Sequence, residues 1–120
     1  MNKYEFVTQI RKSIIADGLS DYREIFESDP SEAKAPYWIR ALSMHGELNE
    51  EERKILLEII RQVMVDTISS VFSILDGVSY FAGQKEDFKL TIGDSREPLN
   101  GDLQELFFII EEDGEDCLSR

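Results

Sequence analysis

One cysteine, one histidine and one tryptophan are the whole stock of those residues in a chain of 120. Cys117 alone cannot close an internal disulfide, and the acidic residues beside it raise rather than lower a thiol pKa, which makes it a poor nucleophile. His45 alone cannot supply the histidine and cysteine sets that hold zinc, and no Gly-x-Ser-x-Gly or cysteine partner accompanies it as it would in a Ser-His-Asp or Cys-His centre. Glycines are too scattered to cradle phosphate, since Gly77 and Gly83 lack a following Gly-Lys-Ser or Gly-x-x-Gly pattern. No apolar run approaches a membrane span. The start, Met1–Asn2–Lys3–Tyr4–Glu5, lacks a basic segment leading into an apolar core, so a cytoplasmic location is expected.

Positive charge is also scarce. Thirteen Lys and Arg face 25 Asp and Glu, a net charge of −12. Nucleic-acid affinity comes largely from cationic side chains displacing counterions, so neither nucleic acid nor an anionic membrane is expected as a partner. Between Glu97 and Asp116 stand eight carboxylates and no Lys or Arg, around the apolar run Leu106–Phe107–Phe108–Ile109–Ile110. Negative field beside apolar surface suits a docking site for a basic protein.

Hydrophobic residues at 42% are ample for a folded core. The expectation is one compact domain over residues 1–114, with 115–120 a frayed acidic tail. Phe6, Ile10 and Ile14 recur at spacing four, which predicts a helix over about 3–16 ended by Asp17–Gly18. A short helix from the Ser20 cap carries Tyr22, Ile25 and Phe26 to Asp29–Pro30. A third helix opens at Pro36, places Trp38, Ile39 and Leu42 on one face, and ends with Gly46 in a left-handed conformation. The fourth has the strongest signal. Asn49 with Glu52 reads as a capping box, and a broad apolar stripe runs from Ile55 to Leu75 before Asp76–Gly77. So long a helix is either the central pillar of the domain, kinked near Thr67–Ser70, or a dimerisation element.

Beyond Gly77 the period changes. Phe88, Leu90 and Ile92 alternate with Lys89 and Thr91, which predicts a strand; Gly93–Asp94–Ser95 is a turn, and a return strand follows with Pro98 at its edge. From Asn100 the pattern is helical again, although the Phe107–Ile110 run also fits a strand. The expected fold class is therefore α+β, mostly α: four to five helices, one long central helix at about 49–75, and a β-hairpin at about 87–99 before a C-terminal helix.

Chemistry is hard to build from these residues. Asp94 to Glu105 has carboxylates twelve positions apart, but Arg96 and Pro98 occupy the places where a calcium loop needs oxygen ligands. Glu47, Glu50, Glu51, Glu52 and Glu58 are numerous, yet a cluster at a helix start is explained by the helix dipole. His45, at a helix C-terminus, reads as a dipole-stabilised cap. No catalytic residue, metal or cofactor is expected. The leading expectation is a non-enzymatic protein that binds a basic protein partner. Glu97, Asp102, Glu105, Glu111, Glu112 and Asp113 would steer it, with Tyr80 and Phe81 as exposed contacts.

In size, acidity and lack of catalytic groups the chain resembles the small immunity proteins by which bacteria inhibit their own toxins. The resemblance covers overall character, assigns no individual residue, and implies an inhibitor that docks a basic target. The alternative reading is a self-associating structural or regulatory module, a homodimer formed through the long helix.

Overall fold

The computed structural model describes residues 1–114, and every regular element among them is helical. Helix α1 (Lys3–Arg11), a π-helical turn (Lys12–Ala16) and α2 (Asp17–Glu27) run end to end as one rod. A 3-10 turn (Pro30–Glu32), α3 (Pro36–Glu47), α4 (Glu50–Leu75) and α5 (Leu103–Asp113) follow. The residues expected to form an acidic tail, Cys117 among them, lie outside the described residues. None of the described helices is long and apolar enough to cross a membrane.

Both ends of α4 form by local chemistry. Asn49 Oδ1 accepts from the Glu52 N–H at 2.8 Å, and Glu52 Oε1 accepts from the Asn49 N–H at 2.9 Å. This is the reciprocal capping box. At the other end Gly77 takes φ +76°. That lets the Val78 N–H donate to the Ser73 carbonyl at 2.9 Å and the Gly77 N–H to Ile74 at 3.2 Å, the paired bonds of a Schellman stop. Between them 26 residues run without a break, roughly 39 Å at 1.5 Å per residue.

Asp17–Gly18 does not end the first helix. Glycine within a helix costs only about 1 kcal/mol relative to alanine, and here it serves packing: a Cβ on Gly18 would meet Met64 Cε at 3.1 Å. The missing side chain lets the rod approach α4. Gly46 likewise lies inside α3, which stops only where Leu48 turns extended and its N–H donates to the His45 carbonyl at 3.1 Å.

The largest departure from expectation is the hairpin. The described residues contain no strand, so the fold is all-helical rather than α+β. The chain does reverse at Gly93 (φ +54°), where the Ser95 N–H donates to the Ile92 carbonyl at 3.0 Å. Leu90 and Leu99 also meet, the Leu99 N–H donating to the Leu90 carbonyl at 2.7 Å. No ladder grows from that contact. Pro98 has no N–H to offer, and Asn100 takes the groups a ladder would use. Its Oδ1 accepts from the Leu90 N–H at 2.8 Å, while its Nδ2 donates to the Phe88 carbonyl at 2.8 Å and to the Leu75 carbonyl. One side chain thus clasps the 76–102 loop to the end of α4. Beside it Asp76 accepts from the N–H groups of Gly101 (2.7 Å) and Gln104 (2.9 Å), so the carboxylate that follows α4 satisfies the start of α5.

The dry core lies where the first rod, the second half of α4 and α5 meet. Val7, Ile15, Leu19, Ile68, Phe72, Leu103 and Phe107 form one buried cluster. Phe72 and Phe107 pack edge to face, centroids 5.9 Å apart. The molecule is drawn out: its radius of gyration is 17.9 Å and its extents are 51 × 34 × 25 Å, whereas a compact domain of this length has a radius near 13.6 Å.

Candidate interface along the long helix

Five α4 residues at spacing four, Ile55, Ile59, Val63, Thr67 and Val71, are all exposed. Each step of four advances about 40° beyond a full turn, so they form a slowly winding ridge. Beside it Leu56, Ile60 and Met64 are half-buried and Ile68 is buried. Facing walls turn that side of the ridge into a groove. Along the first half of α4 the wall comes from α2 and α3, with Tyr22, Phe26, Trp38 and Met44 around a cavity of about 370 Å³. Along the second half it comes from Phe6, Ile10 and Ile14 around a cavity of about 320 Å³. Val63 and Met64 line both, so the two cavities make one apolar track.

The α2/α3 wall is built from rings. Tyr22 lies 6.4 Å from Trp38, and Phe26 stacks on His45 at 4.4 Å with the planes only 3° apart. Desolvation under that stack, with the Arg53 charge adding to it, pulls the His45 pKa below its ordinary value. The imidazole is thus a flat packing surface, and not the protonated dipole cap its place at a helix C-terminus suggests. Arg53 caps instead: its Nε donates to the His45 carbonyl at 3.2 Å and its Nη2 to Gly46 at 3.3 Å.

The six carboxylates singled out in the sequence divide in the structure. Asp102 is held by Lys3 Nζ at 3.0 Å. Glu111 is only 13% exposed and sits between two guanidiniums, Arg61 Nη2 at 2.8 Å and Arg11 Nε on its other oxygen. It ties α1, α4 and α5 together. Glu97, Glu105, Glu112 and Asp113 stay exposed. Glu105, Phe108, Ile109 and Glu112 share the outer face of α5 at i, i+3, i+4 and i+7, and Glu97 borders a cleft beside Met1, Asn2 and Lys3.

Tyr80 and Phe81 are exposed but engaged within their own loop. The Tyr80 hydroxyl donates to Asp87 Oδ1 at 2.5 Å, and that carboxylate pushes the phenol pKa up. Phe81 meets the edge of Phe88 at 6.1 Å.

No family model, curated protein or solved structure matches the chain. The site must therefore be read from its own residues. The apolar stripe of α4 was legible in the sequence, with a contact surface as one of its two readings, but not which of its residues stay open. Thirteen of the 26 residues of α4 are apolar, and of them only Ile68 and Phe72 are buried.

Proposed function

We propose that the protein is a non-catalytic interaction module that works by receiving an amphipathic helix along the α4 groove. The exposed ridge of Ile55, Ile59, Val63, Thr67 and Val71 carries this reading. Surface area supports it. The chain exposes 8468 Å², against about 6,600 Å² for a folded monomer of its mass. Ile55, Ile59, Val63 and Val71 are large exposed hydrophobics in one row, and a contiguous apolar patch marks an interaction site. The net charge of −12 keeps such a module away from nucleic acid and fits a cytoplasmic setting.

The test uses a fluorescein-labelled leucine-faced amphipathic helix. Its anisotropy should rise on titration with the protein, and the rise should vanish in Val63→Glu, whose fold persists because Val63 is 58% exposed. Equal binding by both proteins would remove the groove from consideration.

A second reading keeps the basic partner and places it on the outer face of α5, where Glu105 and Glu112 flank Phe108 and Ile109. The i, i+3, i+4, i+7 spacing favours it. A lysine-rich amphipathic helix should then bind, weaken with salt, and be lost in Glu105→Lys/Glu112→Lys. Binding unaffected by salt would count against this face.

A further inference from the structure

We infer that the helix received by the α4 groove is cationic, with arginines on its flanks that reach the two rims while its apolar face covers Ile55, Ile59 and Val63. The inference rests on the docking reading above and gives its partner a charge. The two arginines of α4 are turned into the fold, Arg53 onto the end of α3 and Arg61 onto Glu111. What this stretch of α4 presents to solvent is Glu50, Glu51, Glu52, Glu58 and Asp66 against Lys54. Glu58 directly precedes Ile59, and Glu51 stands four residues before Ile55, so negative charge borders the apolar ridge.

The facing rim is aromatic. Tyr22, Tyr37 and Trp38 line the cavity of about 370 Å³ beside Ile59 and Val63. Tyr37 is 63% exposed and stands edge-on to Trp38, centroids 5.3 Å apart. The faces of such rings attract cations, and a guanidinium, planar and weakly hydrated, stacks on them as an ammonium does not. Carboxylates on one side, rings on the other and hydrocarbon between them complement an apolar stripe flanked by arginines. The net charge of −12 draws such a partner in. Geometry permits the fit. From Ile55 to Val63 the ridge winds by about 80°, two steps of about 40°, within the roughly 100° width of an amphipathic helix's apolar face.

Two fluorescein-labelled helices with the same leucine face, one flanked by arginines and the other by glutamines, test this by anisotropy at moderate salt. Wild type should bind the arginine-flanked helix roughly tenfold more tightly. Tyr37→Leu keeps an apolar rim, removes the ring and changes no charge. It should weaken the arginine-flanked helix about threefold and leave the glutamine-flanked one unchanged. Glu58→Gln should act in the same direction. Both positions are exposed, so the fold persists.

Equal affinity of wild type for the two helices would overturn the cationic partner. If Val63→Glu then abolishes both interactions, the docking reading still stands. An arginine preference untouched by Tyr37→Leu and by Glu58→Gln would also overturn the inference, because it would come from the field of the whole chain and not from these rims. Binding of neither helix removes both readings.

Discussion

Ile68 and Phe72, in the second half of α4, are buried under Leu103 and Phe107 of α5 and Val7 and Ile15 of the first rod. Ile55, Ile59 and Val63, in the first half, belong to the same apolar stripe and are 44–58% exposed. The first half has α2 and α3 beside it, with Leu57 and Ile60 at the edge of the core and Arg61 reaching Glu111, and α3 meets α2 through rings, Trp38 on Tyr22 and His45 on Phe26. Equal hydrophobicity along one helix therefore produces a core under one face of its second half, whereas no residue of its first half is buried and the Thr67–Val71 side stays open too. What differs is how many layers the rest of the chain can place against each half. An apolar face left open by its own domain is most simply explained by cover from outside it.

Truncation should show this contrast at its largest. Phe107→Ala empties the centre of the buried cluster and should cost about 3–5 kcal/mol in urea unfolding. Ile59→Ala, measured at concentrations where only monomer is present, should change stability by less than about 0.5 kcal/mol. Comparable losses at both sites would mean that the two halves of α4 are not differently covered.

The ion pairs divide in the same way. Glu111→Gln leaves the Arg11 and Arg61 guanidiniums facing each other in a largely buried site and should cost about 2–4 kcal/mol. Asp102→Asn breaks a pair in which both side chains are about half exposed and should cost less than about 1 kcal/mol. Denaturant midpoints of the two variants at low and high salt check this, since only the exposed pair should lose its contribution as salt rises.

Asn100→Ala tests whether one side chain holds the 76–102 loop. It removes the partners of the Leu90 N–H and of the Phe88 and Leu75 carbonyls and should cost about 1–3 kcal/mol. Hydrogen exchange should accelerate at Leu90 and Leu99 before it does in α1.

The smallest effect belongs to His45. Its folded pKa lies below the unfolded value of 6.5, so the unfolded chain takes up its proton first as pH falls. Stability from this residue is complete above about pH 7, declines through pH 6.5, and levels off below the folded pKa. His45→Gln should flatten that part of the pH profile, seen as the difference between the urea midpoints of the two proteins. An unchanged difference across this range would mean that the Phe26 stack does not bear on the proton.

Local signals in the sequence proved legible. Asn49 with Glu52, and Asp76–Gly77, mark the ends of α4 because capping and the left-handed stop depend on neighbours only. Non-local events were not legible. The alternation of Phe88, Leu90 and Ile92 fits a strand, but a ladder needs a partner with free N–H groups. Pro98 and the Asn100 side chain, arriving from across the turn, prevent it. Gly18 reads as a break until Met64 is seen packing where its side chain would be.

The acidic segment was legible as composition, and Glu105 and Glu112 stand exposed as expected. Nothing local distinguishes them from Glu111, whose two arginines come from 50 and 100 positions away. Tyr80 and Phe81 are exposed as expected, while their ties to Asp87 and Phe88 depend on how the loop folds back.

Fluorescence anisotropy of the labelled leucine-faced helix, titrated with the wild type and with Val63→Glu, tests most directly whether the apolar ridge of α4 is a docking face. The expected result is an anisotropy that rises with the wild type and stays flat with Val63→Glu. A flat response from the wild type, or an equal rise from both proteins, would contradict it.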